Sequence, residues 1–193
     1  MSTSTSHSWL HDERGAAAAG KILDAAAQLF VDRGVAGTGM AEIASAAGCS
    51  RATLYRYFAS RKALHLAFVH REARRLGDRV ARSVTATDPR ERITEAVLTA
   101  LREVRADPTL SVWFGIGDAA LASELASTSE MIEVLGAVFL AGPDGSVDAE
   151  TTGRARWLVR VIVSLLTVPG IDEADERAMI EQFLVPVVGP AHP

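Results

Sequence analysis

Cysteine is almost missing from this chain of 193 residues, where Cys49 stands alone. A single thiol excludes a disulfide framework and any cysteine-built zinc site, and it fits a reducing, cytoplasmic setting. Long hydrophobic runs are missing too. The most apolar stretch, Val161–Val168, holds eight residues, includes Ser164 and follows Arg160. That is too short to span a bilayer, so no membrane partner is expected. Met1–Ser8 has neither a basic start nor an apolar run, so no signal peptide is expected. Catalytic signatures are equally scarce. There is no G-x-S-x-G, no phosphate-binding loop, no dinucleotide fingerprint and no H-E-x-x-H, which argues against an enzyme and leaves no cofactor expected.

What is present is a charge asymmetry. The net charge of −4 taken whole disfavours a nucleic-acid partner. Residues 1–87 hold 12 basic and 7 acidic side chains, a net of +5, whereas residues 88–193 hold 8 and 17, a net of −9. A basic half joined to an acidic half places any polyanion contact in the first.

The pattern along the chain is helical. Residues 1–14 read as a disordered tail. Ile22, Ala26, Leu29 and Phe30 follow the 3.6 period, and Gly34 sits at a helix stop. Thr38 reads as the cap of a short helix through Ala47, Ser50 as the cap of a second to about Tyr57, and Ser60 as the cap of a long third from Arg61 to about Val84. Asp88-Pro89-Arg90-Glu91 is a strong start signal for a helix with an Ile93, Val97, Leu98, Leu101, Val104 stripe. Gly115 and Gly117 break the next region, Ser127–Glu130 resembles a capping box, and Ala141–Gly145 reads as a loop. A helix from about Asp148 to Val168 and a last one from about Asp172 to Val185 follow, with Pro186 ending or kinking it. No stretch alternates with period two. The expected fold is all-α, about nine helices, with a helix-turn-helix unit at 15–60 and a larger helical domain at 61–193.

Two short helices meeting at Gly48, followed by a long one, make a helix-turn-helix layout. Met40, Ile43, Ala44 and Ala47 supply apolar or small packing residues on the first. The second turns Leu54 and Phe58 inward and presents Arg51, Thr53, Tyr55, Arg56 and Tyr57, which can donate to phosphates or base edges. The positive end of its dipole lies beside Ser50 and Arg51. Each residue also has a plainer reading. Arg51 and Arg56 fit ordinary surface arginines, Tyr55 fits packing, and Cys49 fits a small core residue. His65 and His70 are five apart, which fits surface groups and not a metal pair on one helix face. Asp172, Glu173, Asp175 and Glu176 suit the dipole at a helix start and solvent.

The run Thr38-Gly39-Met40-Ala41-Glu42-Ile43-Ala44, then Ala47-Gly48-Cys49-Ser50, Thr53-Leu54-Tyr55-Arg56-Tyr57-Phe58, Ser60-Arg61 and Leu64, resembles the DNA-binding domain of the tetracycline-repressor family of transcriptional regulators. The resemblance covers about residues 17–65; beyond them only length, helical content and order are similar. It implies a regulator, most often a repressor, that binds double-stranded operator DNA. It implies phosphate contacts by Thr38, by the Tyr57 hydroxyl and by Arg61, the last where the family usually has lysine. It places Ser50, Arg51 and Thr53 at the start of the recognition helix and Tyr55 and Tyr57 at the family's aromatic positions. Gly39, Cys49 and Lys62 depart from the common threonine, valine and acidic residue, and Lys62 adds positive charge beside the DNA.

The resemblance also implies a small-effector cavity among the middle helices and a dimer made by the last two. The residues agree with a homodimer. Trp157–Val168 is apolar nearly all round, and in so small a domain a partner chain is the natural cover. The expected interface is Trp157, Val161, Ser164, Leu165, Met179, Ile180, Phe183 and Val187. Two recognition helices then sit roughly 34–36 Å apart and read a palindrome. Candidate lining residues for a small, hydrophobic effector are Leu98, Leu101, Trp113, Phe114, Met131, Leu135, Phe139 and Trp157, all of which equally fit ordinary core. The alternative is a dimeric DNA-binding regulator without a small-molecule ligand, controlled by a protein partner or by its own concentration.

Overall fold

The computed structural model describes residues 6–115, 117–142 and 145–189, with 6–14 described as backbone. The chain is all-α, with no strand among the described residues. It forms two compact units, residues 1–68 and 69–193.

The first unit begins with α1 (Ser6–Arg33). Residues 6–14, expected in a tail, are therefore helical; residues 1–5 lie outside the described residues. Ala16–Ala19 are strong helix formers, and extending an existing helix adds one hydrogen bond for each residue ordered. Gly34 ends α1 with φ 76°, and its N–H donates to the Phe30 carbonyl at 2.9 Å. A left-handed stop of this kind suits a residue without Cβ. Then come α2 (Met40–Ala46), α3 (Arg51–Tyr57) and α4 (Arg61–Ser83).

The first half of α4 belongs to the first unit. Leu64, His65 and Phe68 are buried, and the Phe30 ring meets His65 and Phe68 edge-on at centroid distances of 5.5 and 5.3 Å. Aromatic pairs in this geometry add about 0.5–1.5 kcal/mol beyond their buried area. These contacts put the unit boundary eight residues later than the expected break at 60/61, and they make His65 a core residue and not a surface group.

The second unit contains the rest of α4, α5 (Pro89–Ala106), α6 (Pro108–Ser111), a 3-10 turn (Val112–Phe114), α7 (Ala119–Thr128), α8 (Glu130–Ala141), α9 (Ala149–Thr167), α10 (Glu173–Met179), a π turn (Ile180–Leu184) and α11 (Val185–Val188). Asp88, Ser129, Asp148 and Asp172 cap α5, α8, α9 and α10 through their side chains. The region broken at Gly115 and Gly117 holds α6, the 3-10 turn and α7 as separate short pieces, and Pro186 does not stop the last helix. Its missing N–H is accommodated by the π turn just before it, after which the chain stays helical to Val188. Of the expected loop at 141–145, Ala141 closes α8, and Pro143 and Asp144 lie outside the described residues.

The core of the second unit gathers the expected α5 stripe, Ile93, Val97, Leu98, Leu101 and Val104, against Leu158, Leu165 and Leu166 of α9 and Ile180, Leu184, Val185 and Val188 at the end. Gly136 lets α8 approach α9 closely, because a Cβ there would stand 3.2 Å from that of Ala155. One buried ion pair crosses this core. The Arg105 guanidinium donates to both Glu176 carboxylate oxygens, at 2.8 and 2.6 Å, and to the Leu165 carbonyl at 3.0 Å. Glu176 is only 2% exposed and also accepts the Gly170 N–H at 3.0 Å, so the expected solvated role at the start of α10 does not hold for it. No described helix is long and apolar enough to cross a membrane.

Candidate nucleic-acid interface

The site is built on α2 and α3. Met40, Ile43 and Ala44 of α2 and Leu54 of α3 are buried, as is Phe58 just past the end of α3. Gly48 makes the turn between the helices at φ 67°, a conformation that costs a side-chain-bearing residue about 1–2 kcal/mol. Cys49 beside it is half-buried with a free thiol.

With Leu54 and Phe58 inward, α3 exposes Arg51, Tyr55 and Arg56, and Ser50 and Lys62 are exposed on either side of it. Thr53 and Tyr57 are half-buried. Ser50 is the helix cap expected from sequence, its hydroxyl oxygen accepting the Thr53 N–H at 3.1 Å and lying 2.9 Å from the Thr53 hydroxyl. Ser60 caps α4 likewise, accepting the Ala63 N–H at 3.1 Å. The Arg56 guanidinium lies over the Tyr57 ring at 5.4 Å, within cation–π range, which orients two neighbouring donors together.

Two expected phosphate contacts are placed differently. Thr38 is 1% exposed, and its hydroxyl lies 2.8 Å from the Gly34 carbonyl and 3.2 Å from that of Leu29. A buried hydroxyl held by main-chain acceptors does not present itself to DNA, so Thr38 is a tie between the end of α1 and the start of α2. Nor is it the cap of α2. Gly39 holds that position, and its N–H donates to the Glu42 carboxylate at 2.9 Å. Arg61 is exposed, yet its Nη2 donates to the Val35 and Ala36 carbonyls at 2.6 and 2.7 Å.

Sequence reasoning missed the bracing of this unit. Arg33 pairs with Glu42, so one carboxylate holds both the start of α2 and the end of α1. A glutamate three residues after a cap position is a readable signal for the Gly39–Glu42 half of that arrangement. The Arg61 contact spans 25 and 26 residues and follows no local pattern.

In the second unit the expected residues divide. Leu98 and Leu101 are buried with Trp113, while Phe114 and Phe139 pack half-buried against the α5–α9 core. Met131 and Leu135 are half-buried on α8. Trp157 is 45% exposed, turned out because Leu158 next to it takes the inward position, so it lines no interior cavity. A small surface cleft lies elsewhere, between Ser127, Glu133, Arg156 and Arg160, and Arg156 and Glu133 are ion-paired across it at 2.6 Å. Of the expected interface residues, Phe183 (65% exposed), Val187, Met179, Trp157 and Ser164 stand on the surface, with Val161 half-buried. Leu165 and Ile180 do not, because both are packed into the unit's own core.

Comparison with known proteins agrees with this geometry. Residues 22–68 match the profile of the bacterial regulatory proteins of the tetR family. An HTH-type transcriptional regulator of Mycobacterium tuberculosis is 52% identical over 186 residues, spanning 95% of this chain and 91% of the relative. Among solved structures, the TetR family repressor AlkX from Dietzia, implicated in biodegradation of n-alkanes, aligns with a TM-score of 0.62 and 22% identity, covering 87% of this chain and 98% of its own. The regulator FadR from Bacillus subtilis in complex with stearoyl-CoA aligns with a TM-score of 0.56 and 14% identity, covering 89% and 98%.

Proposed function

The chain belongs to the tetR family of bacterial regulatory proteins, and from that premise we propose that it is a homodimeric, cytoplasmic repressor of a palindromic operator, released by a small and mostly hydrophobic effector. It is a helix-turn-helix transcriptional regulator, and its relatives are regulators and not enzymes. The observation that carries the reading is α3 itself. Leu54 and Phe58 anchor one side of the helix while Arg51, Tyr55 and Arg56 face outward. Direct readers are Arg51, Tyr55 and Arg56. Ser50, Thr53, Tyr57 and Lys62 contribute backbone contacts, which set register and not sequence.

Dimerisation rests on the exposed apolar set Trp157, Met179, Phe183 and Val187, joined by Val161 and Ser164. Large apolar side chains left in water on two adjacent terminal helices call for a cover, and a second copy supplies the matching surface. Selection of bound duplexes from a random library tests the whole reading. The expected result is an inverted repeat bound by a dimer, and enrichment of no sequence overturns it.

The effector is assigned by chemistry. Leu98, Leu101, Phe114 and Phe139 share one aliphatic and aromatic core, with Trp113 buried and Met131 and Leu135 half-buried on their own elements, a residue set suited to an acyl or aromatic group. Of two proteins of this fold, AlkX is implicated in biodegradation of n-alkanes and FadR is seen in complex with stearoyl-CoA. The tight burial of Leu98 and Leu101 favours the second reading, a regulator with no small-molecule ligand. An acyl-chain series read by thermal shift and by operator release separates the two, since a true effector changes both.

A further inference from the structure

We propose that Arg61 is a positioning residue for the recognition helix, a clamp between the start of α4 and the α1–α2 connection, and not a contact to DNA phosphate. The inference rests on the DNA-reading assignment of α3. Arg61 is the first residue of α4 and follows α3 after a connection of three residues. Its Nη2 donates both its hydrogens upstream, to the Val35 carbonyl at 2.6 Å and the Ala36 carbonyl at 2.7 Å.

Those acceptors lie in a segment that is itself fixed. Val35 is fully buried, the Thr38 hydroxyl holds the Gly34 and Leu29 carbonyls, and Glu42 ties Gly39 to Arg33. The clamp therefore closes a ring that begins at the end of α1, passes through α2 and α3, and returns at the start of α4. A seven-residue helix does not hold its own shape or direction in water. Orientation of α3 depends on what grips it: Leu54 and Phe58 from below, the Ser50 cap at its start, and the Arg61 clamp just beyond its end. The planar guanidinium holds its donors in fixed directions at the reach of both carbonyls, whereas the lysine ammonium is a compact, strongly hydrated tetrahedral donor on a flexible, shorter stem.

The test is affinity for the selected duplex across a salt series, on the full-length dimer, for the wild type, Arg61→Lys and Arg61→Ala. A clamp predicts about tenfold weaker binding for both variants at every salt concentration, with slopes parallel to the wild type, and faster amide exchange over residues 34–39 and 51–58. A phosphate contact predicts instead that Arg61→Lys keeps wild-type affinity while Arg61→Ala loses about 1.8 of the logarithmic salt slope, roughly 0.9 for each protomer of the dimer, and that result overturns the proposal. Unchanged affinity in both variants overturns it as well. If Arg61→Ala fails to fold, Arg61→Lys alone decides, because it keeps the charge and loses the planar, pre-organised donor at that reach. Failure of the wild type to bind any duplex condemns the assignment of α3 and not the clamp.

Discussion

In the first unit the proposed recognition helix exposes arginine and tyrosine beyond its Ser50 cap; in the second the terminal helices expose Trp157, Phe183 and Val187. The internal ties differ in the same sense. The first unit is braced by hydrogen bonds and one exposed ion pair around a single connection, from Thr38, Glu42 and Arg61. The second is held by aliphatic packing between long helices and by ion pairs on buried carboxylates, Arg105–Glu176 between residues 71 apart in the chain among them. Polar, locally braced surface suits a charged and hydrated partner whose grooves are read by donors. Apolar surface on rigid helices suits a copy of itself, where area buried drives association. Under the proposed function the division also gives the net charge its meaning, the acidic half carrying the self-contact and the basic half the contact to a polyanion.

The comparison breaks most sharply at Phe183. Phe183→Glu places a charge in the centre of the proposed self-contact while leaving Ile180 and Leu184 in the core. The expected outcome is a folded monomer at micromolar concentration. Binding to a full palindrome then falls by about 10²–10⁴-fold, because two linked recognition events become one. Sedimentation together with anisotropy on full and half operators measures both. A variant that stays dimeric removes the assignment of this face.

Next in size is Glu176. Removing one partner of a buried pair leaves the other charge uncompensated, and Glu176→Ala should cost about 3 kcal/mol of unfolding free energy in urea, the low end of the usual range because Arg105 is partly exposed. The carboxyl is held below its ordinary range by hydrogen bonds from Arg105 and, opposing the effect of burial, from the Gly170 N–H. A carboxylate depressed in the folded state gives stability that is present above its unfolded value of about 4.5 and is lost as pH falls through the folded value. Glu176→Gln should therefore flatten the acid limb of the Tm-against-pH curve below pH about 4.5. An unchanged limb would show that other carboxylates set it.

That pair also marks where the sequence stops being readable. Caps and stripes are local, so Ser50, Ser60, Asp88 and the Ile93–Val104 face could be read directly from spacing and were found in place. The α3 face was legible for the same reason, since Leu54 and Phe58 fix its inward side. Contacts across many residues carry no such period. Thr38 looked like a cap and is a buried tie, and neither the Arg61 clamp nor the Arg105–Glu176 pair has a local signature. Helices apolar on all sides pose a different problem, because burial is implied without its direction. Packing of α9 against α5 turns Leu165 inward and Trp157 outward, and packing of the π turn against α5 turns Ile180 inward.

Within the first unit, Arg51 tests readout against bracing. Its exposed guanidinium forms none of the ties around the α1–α2 connection. Arg51→Ala should leave unfolding unchanged, reduce operator affinity by about 1–3 kcal/mol per half-site and relax preference at one base pair of each half-site. Equal losses on operator and random DNA would assign Arg51 to phosphate instead.

The smallest expected effect separates the two roles of Ser50. Its hydroxyl already accepts the Thr53 N–H, so Ser50→Ala should lower the stability of the first unit by about 1 kcal/mol through loss of the cap. A glycine there keeps most of the capping geometry and costs only a few tenths of that, while lacking any hydroxyl for DNA. If Ser50 serves only as a cap, Ser50→Gly binds the operator nearly as well as the wild type and Ser50→Ala falls behind it. If the hydroxyl also touches phosphate, the two variants lose the same several-fold affinity despite their different stabilities. Parallel chemical denaturation and operator titration of this pair therefore tell whether the outer face of α3 begins at Ser50 or only at Arg51.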